Sequence, residues 1–285
     1  MPTSRRLLKV GGSVLAVAAL LVTADAGFAA HAEQSLSEQI RKTAHLEMTP
    51  YVSIAGKAYT SSFFTGKWSS VNSRIRDVEV PGFGLVSLEY GAVNVQIPKE
   101  SVWSGQFGES KTKQYFTKLG LDGLSLGRKM GLSDLVIQPL EDSSPAGGWE
   151  TEALFEATPK DWKTAAKVAV KLRIVQGDVI ITPIDIVATP KGSEATSLGD
   201  PEELSEADRK TVLETFSLTL RGDDIPLGMP ATRIFVSGGT VTIEGEQIMC
   251  TVSPANFMPP TSRDAAELSA KSAEKLPASN CRVRR

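Results

Sequence analysis

The sequence predicts an α+β fold, in which an amphipathic helix precedes a strongly curved antiparallel sheet within a single domain. Apolar residues recur at helical spacing over Glu33–Ala44, which is typical of a helix with one buried face. Farther along, two long strand-like stretches flank a turn at Pro81 and Gly82. The second stretch changes its alternation phase at Gly91, as a β-bulge or a strong strand bend does. Long bent antiparallel strands curl a sheet.

The composition bounds the class of protein. The 285 residues are enough for one large domain or two small ones with a sizeable core. A hydrophobic fraction of 41% and a charged fraction of 22% are typical of a folded globular chain. The formal net charge of −2 provides no basic field for nucleic acid. We expect a monomer without a nucleic-acid partner.

The N-terminus has the organisation of an export signal. Arg5, Arg6 and Lys9 precede an apolar run over Val14–Ala24, and small residues follow. This order of charged, apolar and small residues is typical of a secretory signal peptide. The body of the protein is therefore expected outside the cytoplasm, in the cell envelope, either secreted or anchored.

Two signal-peptidase sites are present, Ala24-Asp25-Ala26 and Ala30-His31-Ala32. The apolar run is shorter than the roughly 20 residues that span a bilayer, which favours cleavage. If the helix continues to Ala32, the segment instead remains as a membrane anchor. The sequence thus divides into residues 1–32 as signal peptide or anchor, 33–252 as the folded domain and 253–285 as a mobile tail.

The first element of the body is the helix over Glu33–Ala44. It places Ala29, Ala32, Leu36 and Ile40 on one face.

The stretch 49–81 comes next. It begins with a short strand over Tyr51–Ile54, and a longer strand covers Trp68–Val80. Between them lies an aromatic segment that ends at Gly66. No nucleophile, base or metal ligand stands out in this stretch, so it is suited to holding apolar surface. Its aromatic residues are Tyr59, Phe63 and Phe64.

The return strand, Leu85–Ile97, carries the phase change. Val86, Leu88 and Tyr90 are apolar at even positions, whereas odd positions are apolar after Gly91. Downstream, Trp103–Lys118 is interpreted as loop and strand, and Leu121–Leu132 as a short helix. Further strands are predicted at residues 135–137, 149–157, 165–175, 179–187, 232–236 and 240–244. A helix is predicted from a cap at Asp200 to about Phe216.

The sequence contains little that indicates a catalytic site or a metal site. Gly123-Leu124-Ser125-Leu126-Gly127 matches the G-x-S-x-G pattern of a hydrolase elbow, whose histidine base normally follows the serine. His31 and His45 both precede it. The two histidines and two cysteines lack zinc spacing. We therefore expect no enzymatic activity, no metal and no cofactor.

Cys250 and Cys281 are the two cysteines. In an exported chain they can form one disulfide that ties the tail to the last strand. The alternative is two unpaired thiols.

The aromatic residues could line a hydrophobic conduit or simply fill the core, because aromatics dominate protein cores generally. Both interpretations remain open for each residue. The set comprises Tyr59, Phe63, Phe64, Trp68, Tyr90, Trp103, Phe107 and Trp149.

Two blocks carry a family resemblance. They are PYVSIAGKAYTSSFFTGKWSSVNSRIRDVEVPGFG, from Pro50, and IPLGMPATRIFVSGGTVTIEGE, from Ile225. With the export segment that ends near Asp25 and the amphipathic helix, they resemble the LmeA-like phospholipid-binding family of the actinobacterial cell envelope. The resemblance covers roughly residues 20–247. This chain has Lys57-Ala58-Tyr59 where many relatives carry Pro-Phe.

The resemblance implies a tubular lipid-binding-like fold, with the curved sheet wrapped around a long helix. It also implies binding of phospholipid, including phosphatidylinositol-type lipids, contact with a membrane surface, and a role in lipid transfer or lipoglycan maintenance. The alternative function is a structural or interaction protein of the envelope with a filled core and no ligand. The residues expected to bind lipid are Ile40, Ile54, Tyr59, Phe63, Phe64, Trp68, Val86, Leu88 and Tyr90.

Overall fold

The computed structural model describes residues 3–43, 46, 48–56, 58–140, 147–259 and 282–283. It confirms an α+β fold with two antiparallel sheets and a long N-terminal helix. The chain divides into two compact units. The first unit contains Met1–Ser73, Gly91–Gln114 and Met249–Met258, and the second contains Arg74–Tyr90, Tyr115–Ile248 and Pro259–Arg285.

The helices are, in chain order, α1 (Thr3–Thr43), α2 (Ser62–Thr65), α3 (Lys99–Ser104), α4 (Gly123–Met130) and α5 (Glu206–Thr215). Short 3₁₀ turns cover Tyr59–Ser61, Pro201–Glu203, Gly222–Asp224 and Pro254–Phe257. The strands are β1 (Tyr51–Ala55), β2 (Lys67–Val80), β3 (Gly84–Gln96), β4 (Ser110–Asp122), β5 (Val136–Pro139), β6 (Glu150–Ala157), β7 (Ala166–Val175), β8 (Asp178–Pro190), β9 (Leu198–Gly199), β10 (Leu218–Leu220), β11 (Arg233–Ser237), β12 (Thr240–Val252) and β13 (Arg282–Val283).

The strands form two open sheets. One has the order β1-β2-β3-β4-β12-β11, with β13 paired to β12. The other has the order β10-β8-β7-β6-β5, with β9 paired to β8. Neither sheet is closed or strongly curled, so the single strongly curved sheet wrapped around a helix is not confirmed. The second sheet arises because β6, β7 and β8 pair consecutively with one another, as strands joined by short connections do.

Helix α1 is longer than the sequence predicts. The segment Gly12–Lys42 contains an 18-residue window with a mean hydropathy of 1.9 and is long and apolar enough to cross a membrane, although a signal sequence meets the same test. Gly12–Ala24 is exposed to solvent. The predicted apolar face is confirmed farther along, where Ala32, Leu36 and Ile40 are fully buried. Within the first unit, α1 packs against β1, α3 and the 3₁₀ turns at Tyr59–Ser61 and Pro254–Phe257.

The phase change in β3 is confirmed, but its backbone cause lies slightly downstream. Burial follows even positions through Ala92 and odd positions from Val95. Between them Asn94 has a left-handed backbone with φ of +55°. Asparagine tolerates this conformation better than most residues. The extra residue of the bend is therefore Asn94 rather than Gly91.

The middle of the chain differs in part from expectation. The predicted loop and strand over Trp103–Lys118 contains the end of α3 and the first part of β4. The helix predicted at Leu121–Leu132 is confirmed as α4. The Asp122 carboxylate caps it by accepting a hydrogen bond from the Ser125 N–H at 2.8 Å.

The predicted start of the helix from Asp200 to Phe216 is wrong, because α5 begins at Glu206. Asp200 caps only the 3₁₀ turn Pro201–Glu203, because Leu204 returns to an extended backbone with ψ of 138°. Ser205 then caps α5, and its Oγ accepts a hydrogen bond from the Asp208 N–H at 3.1 Å. A second capping residue so close to the first ends one turn and starts another.

The second sheet and β11 form the main core of the second unit. Strand β11 packs on β5, β6 and β7, and a bridge joins Gly148 to Ile234. The fully buried side chains include Phe155, Val168, Leu172 and Ile234.

The disulfide remains a prediction. Cys250 is buried in β12, whereas Cys281 lies outside the described residues. The strand pairing in this region joins Ile248 to Arg282. The predicted tail, 253–285, is described only as far as residue 259 and at 282–283.

Candidate functional site

A carboxylate on α1 holds the aromatic segment in the first unit. One Asp25 oxygen accepts hydrogen bonds from the Thr60 N–H and the Thr60 Oγ1, both at 2.7 Å. The other oxygen accepts from the Tyr59 N–H at 3.0 Å. These N–H groups belong to the first turn of the 3₁₀ segment, where no intrahelical acceptor exists for them. Asp25 therefore acts as a cap supplied by a different element.

Two more side chains of α1 contact the following chain in the same way. A Glu33 carboxylate oxygen accepts from the Ile54 N–H of β1 at 2.8 Å. The Ser37 hydroxyl donates to the Pro50 carbonyl. Ser37 is buried, although the helical pattern places it opposite the apolar face. Both polar side-chain contacts and apolar packing therefore hold α1 against the chain segment that follows it.

Helix α1 closely approaches the end of α3 in the first unit. Gly105 follows α3 with a left-handed φ of +67°. A Cβ at this position would lie 2.6 Å from the Ala32 Cα and carbonyl oxygen. Only glycine suits both the backbone angle and the space. Ala32 is consequently fully buried.

Tyr59 connects the 3₁₀ segment to α3. Its hydroxyl donates to the Val102 carbonyl at 2.6 Å. Burial is the main cause that raises the pKa of Tyr59 to about 12, while a hydrogen bond with Trp68 acts against the rise. The phenol is thus a neutral structural donor rather than an acid or base near neutral pH.

Three aromatic rings form a cluster at the surface of the first unit, which we call the aromatic cluster. Phe28 of α1 contacts Trp103 of α3 edge to face, with 5.2 Å between centroids. Phe63 of α2 contacts both, at 6.3 Å and 4.8 Å. Trp103 is 60% exposed, and the neighbouring Phe64 is 87% exposed. Apolar rings this exposed commonly mark a binding surface.

A second aromatic row fills the interior of the first unit. Trp68, Phe107 and Phe257 are buried and stack edge to face, with centroid separations of 5.7 Å and 6.0 Å. The cavity beside Trp68, lined by Ile54, Tyr59 and Ser62 among others, measures about 10 Å³. That is room for about one water molecule, and an acyl chain needs far more.

The structure divides the predicted lipid-binding residues between the two units. In the first unit Ile40, Ile54, Tyr59 and Trp68 are buried, Phe63 is half-buried and Phe64 is exposed. The residues in the second unit, all buried in β3, are Val86, Leu88 and Tyr90. Burial raises the pKa of the Tyr90 phenol well above its usual value. Their contact with lipid stays a prediction.

Trp149 does not belong to the interior. It is 56% exposed, and the Arg173 guanidinium lies 4.6 Å from its ring centroid. This is a surface cation–π contact in the second unit.

The G-x-S-x-G serine has a structural partner. Strand β4 ends at Asp122 and the motif forms the first turns of α4, whereas a nucleophile elbow holds its serine in the turn between a strand and a helix. The Ser125 hydroxyl is also buried and donates to the Leu85 carbonyl at 2.6 Å. Over the part of the chain that the structure describes, no group of three or more His, Cys, Asp or Glu side chains is suited to a metal ion.

A hollow of about 610 Å³ lies along α5 and is lined by that helix and Ser217. Because a single element lines it, it is open and encloses nothing.

Sequence reasoning missed Asp25 and Phe28 as site residues, because both lie in the segment assigned to a signal peptide or an anchor and not to the folded domain. The available signal was the helical spacing itself. Asp25, Phe28, Ala29 and Ala32 continue the buried face of α1 toward the N-terminus at intervals of three and four residues. The residues that contact Asp25 and Phe28 lie far along the chain, so no local sequence pattern predicts these contacts.

The family comparison agrees with this organisation. An α+β domain with a long N-terminal helix and an exposed aromatic cluster is suited to a lipid-binding protein. Residues 23–246 match the LmeA-like phospholipid-binding family, and the chain belongs to that family. The match begins two residues before Asp25. Comparison with curated proteins and with solved structures finds no match.

Proposed function

We propose that this is an exported cell-envelope protein that binds the acyl chains of phospholipid in an apolar groove. The observation that carries the proposal is membership of a phospholipid-binding family over residues 23–246. Recognition of phosphatidylinositol-type lipids, and a role in lipid transfer or lipoglycan maintenance, belong to the same proposal. So does the absence of catalysis, which the structural role of the Ser125 hydroxyl supports.

Apolar burial would supply most of the affinity. Each methylene removed from water contributes about 0.8 kcal/mol, so a few methylenes outweigh a net hydrogen bond of about 1 kcal/mol to the headgroup. We assign Phe63 and Phe64 to the entrance of the groove, because they are the predicted residues that solvent reaches. The predicted residues that are buried in the first unit would line it after a rearrangement that admits the chains.

Lipid analysis of the purified full-length protein tests the proposal. We expect native mass spectrometry to detect bound phospholipid after purification or after exposure to mixed vesicles. Repeated purification without lipid, from a protein that remains folded, would contradict the proposal.

A variant pair sharpens this test. Phe64→Asp should reduce bound lipid several-fold and leave the fold intact, because the ring is 87% exposed. Leu124→Asp is the matched control, since Leu124 is also an exposed apolar residue, 58% exposed on α4, and is not a predicted lipid contact. Circular dichroism verifies that both variants are folded.

One observation favours a second candidate, an envelope interaction protein with a filled core. Trp68, Phe107 and Phe257 pack edge to face in the interior, and the cavity beside Trp68 measures about 10 Å³. Under this alternative, neither the parent chain nor Phe64→Asp carries lipid, and vesicles do not change the unfolding temperature. A ligand-binding protein would instead be stabilised by its lipid.

A further inference from the structure

The exposed part of α1 is apolar. Val14, Leu15, Leu20, Leu21 and Val22 are each at least 62% exposed. A stretch of large apolar side chains is rarely left in water, so a partner of matching chemistry covers it. The helical form and the hydropathy of 1.9 fit the interior of a bilayer.

This apolar stretch is too short to span alone. The 15 residues Val10–Ala24 rise about 22 Å, whereas the hydrocarbon core is about 30 Å thick. Extending the segment to Phe28 brings the rise to about 28 Å. The aromatic cluster lies at that level, and tryptophan, which Trp103 contributes to the cluster, is enriched where a protein crosses the membrane–water interface.

A charged Asp25 carboxylate near lipid would be costly if it were unpaired, but hydrogen bonds within the protein satisfy it. Its carboxylate already accepts three hydrogen bonds from Tyr59 and Thr60. A polar group that is satisfied by protein partners can approach the interface at far lower cost than an unsatisfied one.

The folded domain also incorporates the residues that cleavage would remove. Processing after Ala26 would take away Asp25, and processing after Ala32 would also take away Phe28. Ala32 itself is fully buried against Gly105. At the other end of the segment, Arg5, Arg6 and Lys9 have the positive charge typical of the cytoplasmic side.

We propose that α1 is retained as a membrane anchor and that the aromatic cluster, together with Phe64, sits in the interfacial layer on the outer face of a phospholipid bilayer. The domain is then held directly against the membrane rather than on a flexible tether. This inference does not require lipid inside the protein, so it stands or falls separately from the proposed function.

The first arm of the test determines the N-terminus. The full chain, with a C-terminal tag, is expressed in an exporting host, and intact mass is measured on the membrane and soluble fractions. We expect the unprocessed mass, allowing for removal of the initiator methionine, in the membrane fraction and resistance to alkaline carbonate extraction. A mature N-terminus at residue 27 or 33 would overturn the proposal.

The second arm determines the depth of the cluster. The full chain is reconstituted in phosphatidylcholine–phosphatidylglycerol vesicles whose acyl chains are brominated near the headgroup, and tryptophan emission is compared with unbrominated vesicles. We expect quenching that falls at least twofold in Trp103→Phe. Trp149→Phe is the matched control and should retain the parent quenching.

Equal quenching in the parent chain and both variants would overturn the interfacial position. Any quenching that remains in Trp103→Phe comes from other tryptophans. Because Trp68 is buried, its quenching would report lipid inside the protein. The two proposals can therefore fail independently.

Discussion

At the scale of single residues, hydroxyl groups illustrate how far a motif can mislead. Ser125 belongs to a hydrolase-like motif at the start of α4, yet its hydroxyl donates its hydrogen bond to the Leu85 carbonyl. Tyr59 has no motif, yet it joins the 3₁₀ segment to α3. Sequence predicted that Tyr59 matters through its aromatic neighbours. The hydrogen-bond partner of the phenol, 43 residues away, could not be predicted.

Tyr59 leads to a pH prediction. Its pKa rises from 10.0 to about 12 on folding, so the unfolded chain releases this proton first as the pH increases. The stabilisation is complete below pH 10 and is lost as the pH rises toward 12, by about 1–2 kcal/mol for this residue. Urea unfolding at pH 8 and pH 11 measures the loss.

Tyr59→Phe should cost about 1 kcal/mol at pH 8, because the Val102 carbonyl loses its donor. That cost should shrink at pH 11. The control is Tyr51→Phe, whose ring is 69% exposed, and which should change the unfolding free energy by less than about 0.5 kcal/mol at pH 8. A Tyr59→Phe deficit that grows with pH would contradict the assignment.

At the scale of elements, the packing of α1 on α3 depends on one glycine. Gly105→Ala introduces a Cβ 2.6 Å from the Ala32 backbone at a left-handed φ. We expect a loss of at least about 2 kcal/mol in the free energy of unfolding. Gly108→Ala, where nothing lies within 4 Å, should change it by less than about 0.5 kcal/mol. Comparable effects of the two substitutions would disprove the close approach.

The elements themselves were largely predictable. The alternation in β3 and the helical spacing in α1 are local patterns, and they identify these elements directly. Where prediction was wrong, a second local signal competed with the first. Ser205 restarts a helix that Asp200 had begun, and Asn94, rather than the more permissive Gly91, takes the left-handed conformation.

At the scale of the whole molecule, the sequence could not reveal which strands share a sheet. The strand order β4-β12 joins segments far apart in sequence, and no local periodicity encodes such a pairing. The same limit applies to the domain boundary at residue 32, which stays a prediction. Asp25 contacts residues 34 and 35 positions later, and no local pattern shows such contacts.

That boundary can be tested with two truncated chains. Residues 23–285 keep Asp25, Phe28 and Ala32, whereas 33–285 lack all three. We expect the free energy of unfolding of the shorter chain to be lower by at least about 2 kcal/mol, because the N–H groups of Tyr59 and Thr60 lose the Asp25 carboxylate that caps them. The unfolding temperature should fall by at least about 4 °C. Equal unfolding temperatures would support the boundary at residue 32 and contradict this expectation.

The Asp25 cap also has a consequence for the order of events during synthesis. Its acceptor is made first, and its donors on Thr60 come 35 residues later. At about 5–20 residues per second, the delay is about 2–7 s. On the proposed topology, the anchor enters the membrane while its own carboxylate is still uncovered. The hydrogen bonds from Tyr59 and Thr60 to Asp25 then form only after the domain has folded on the outer side, as a late step of biogenesis.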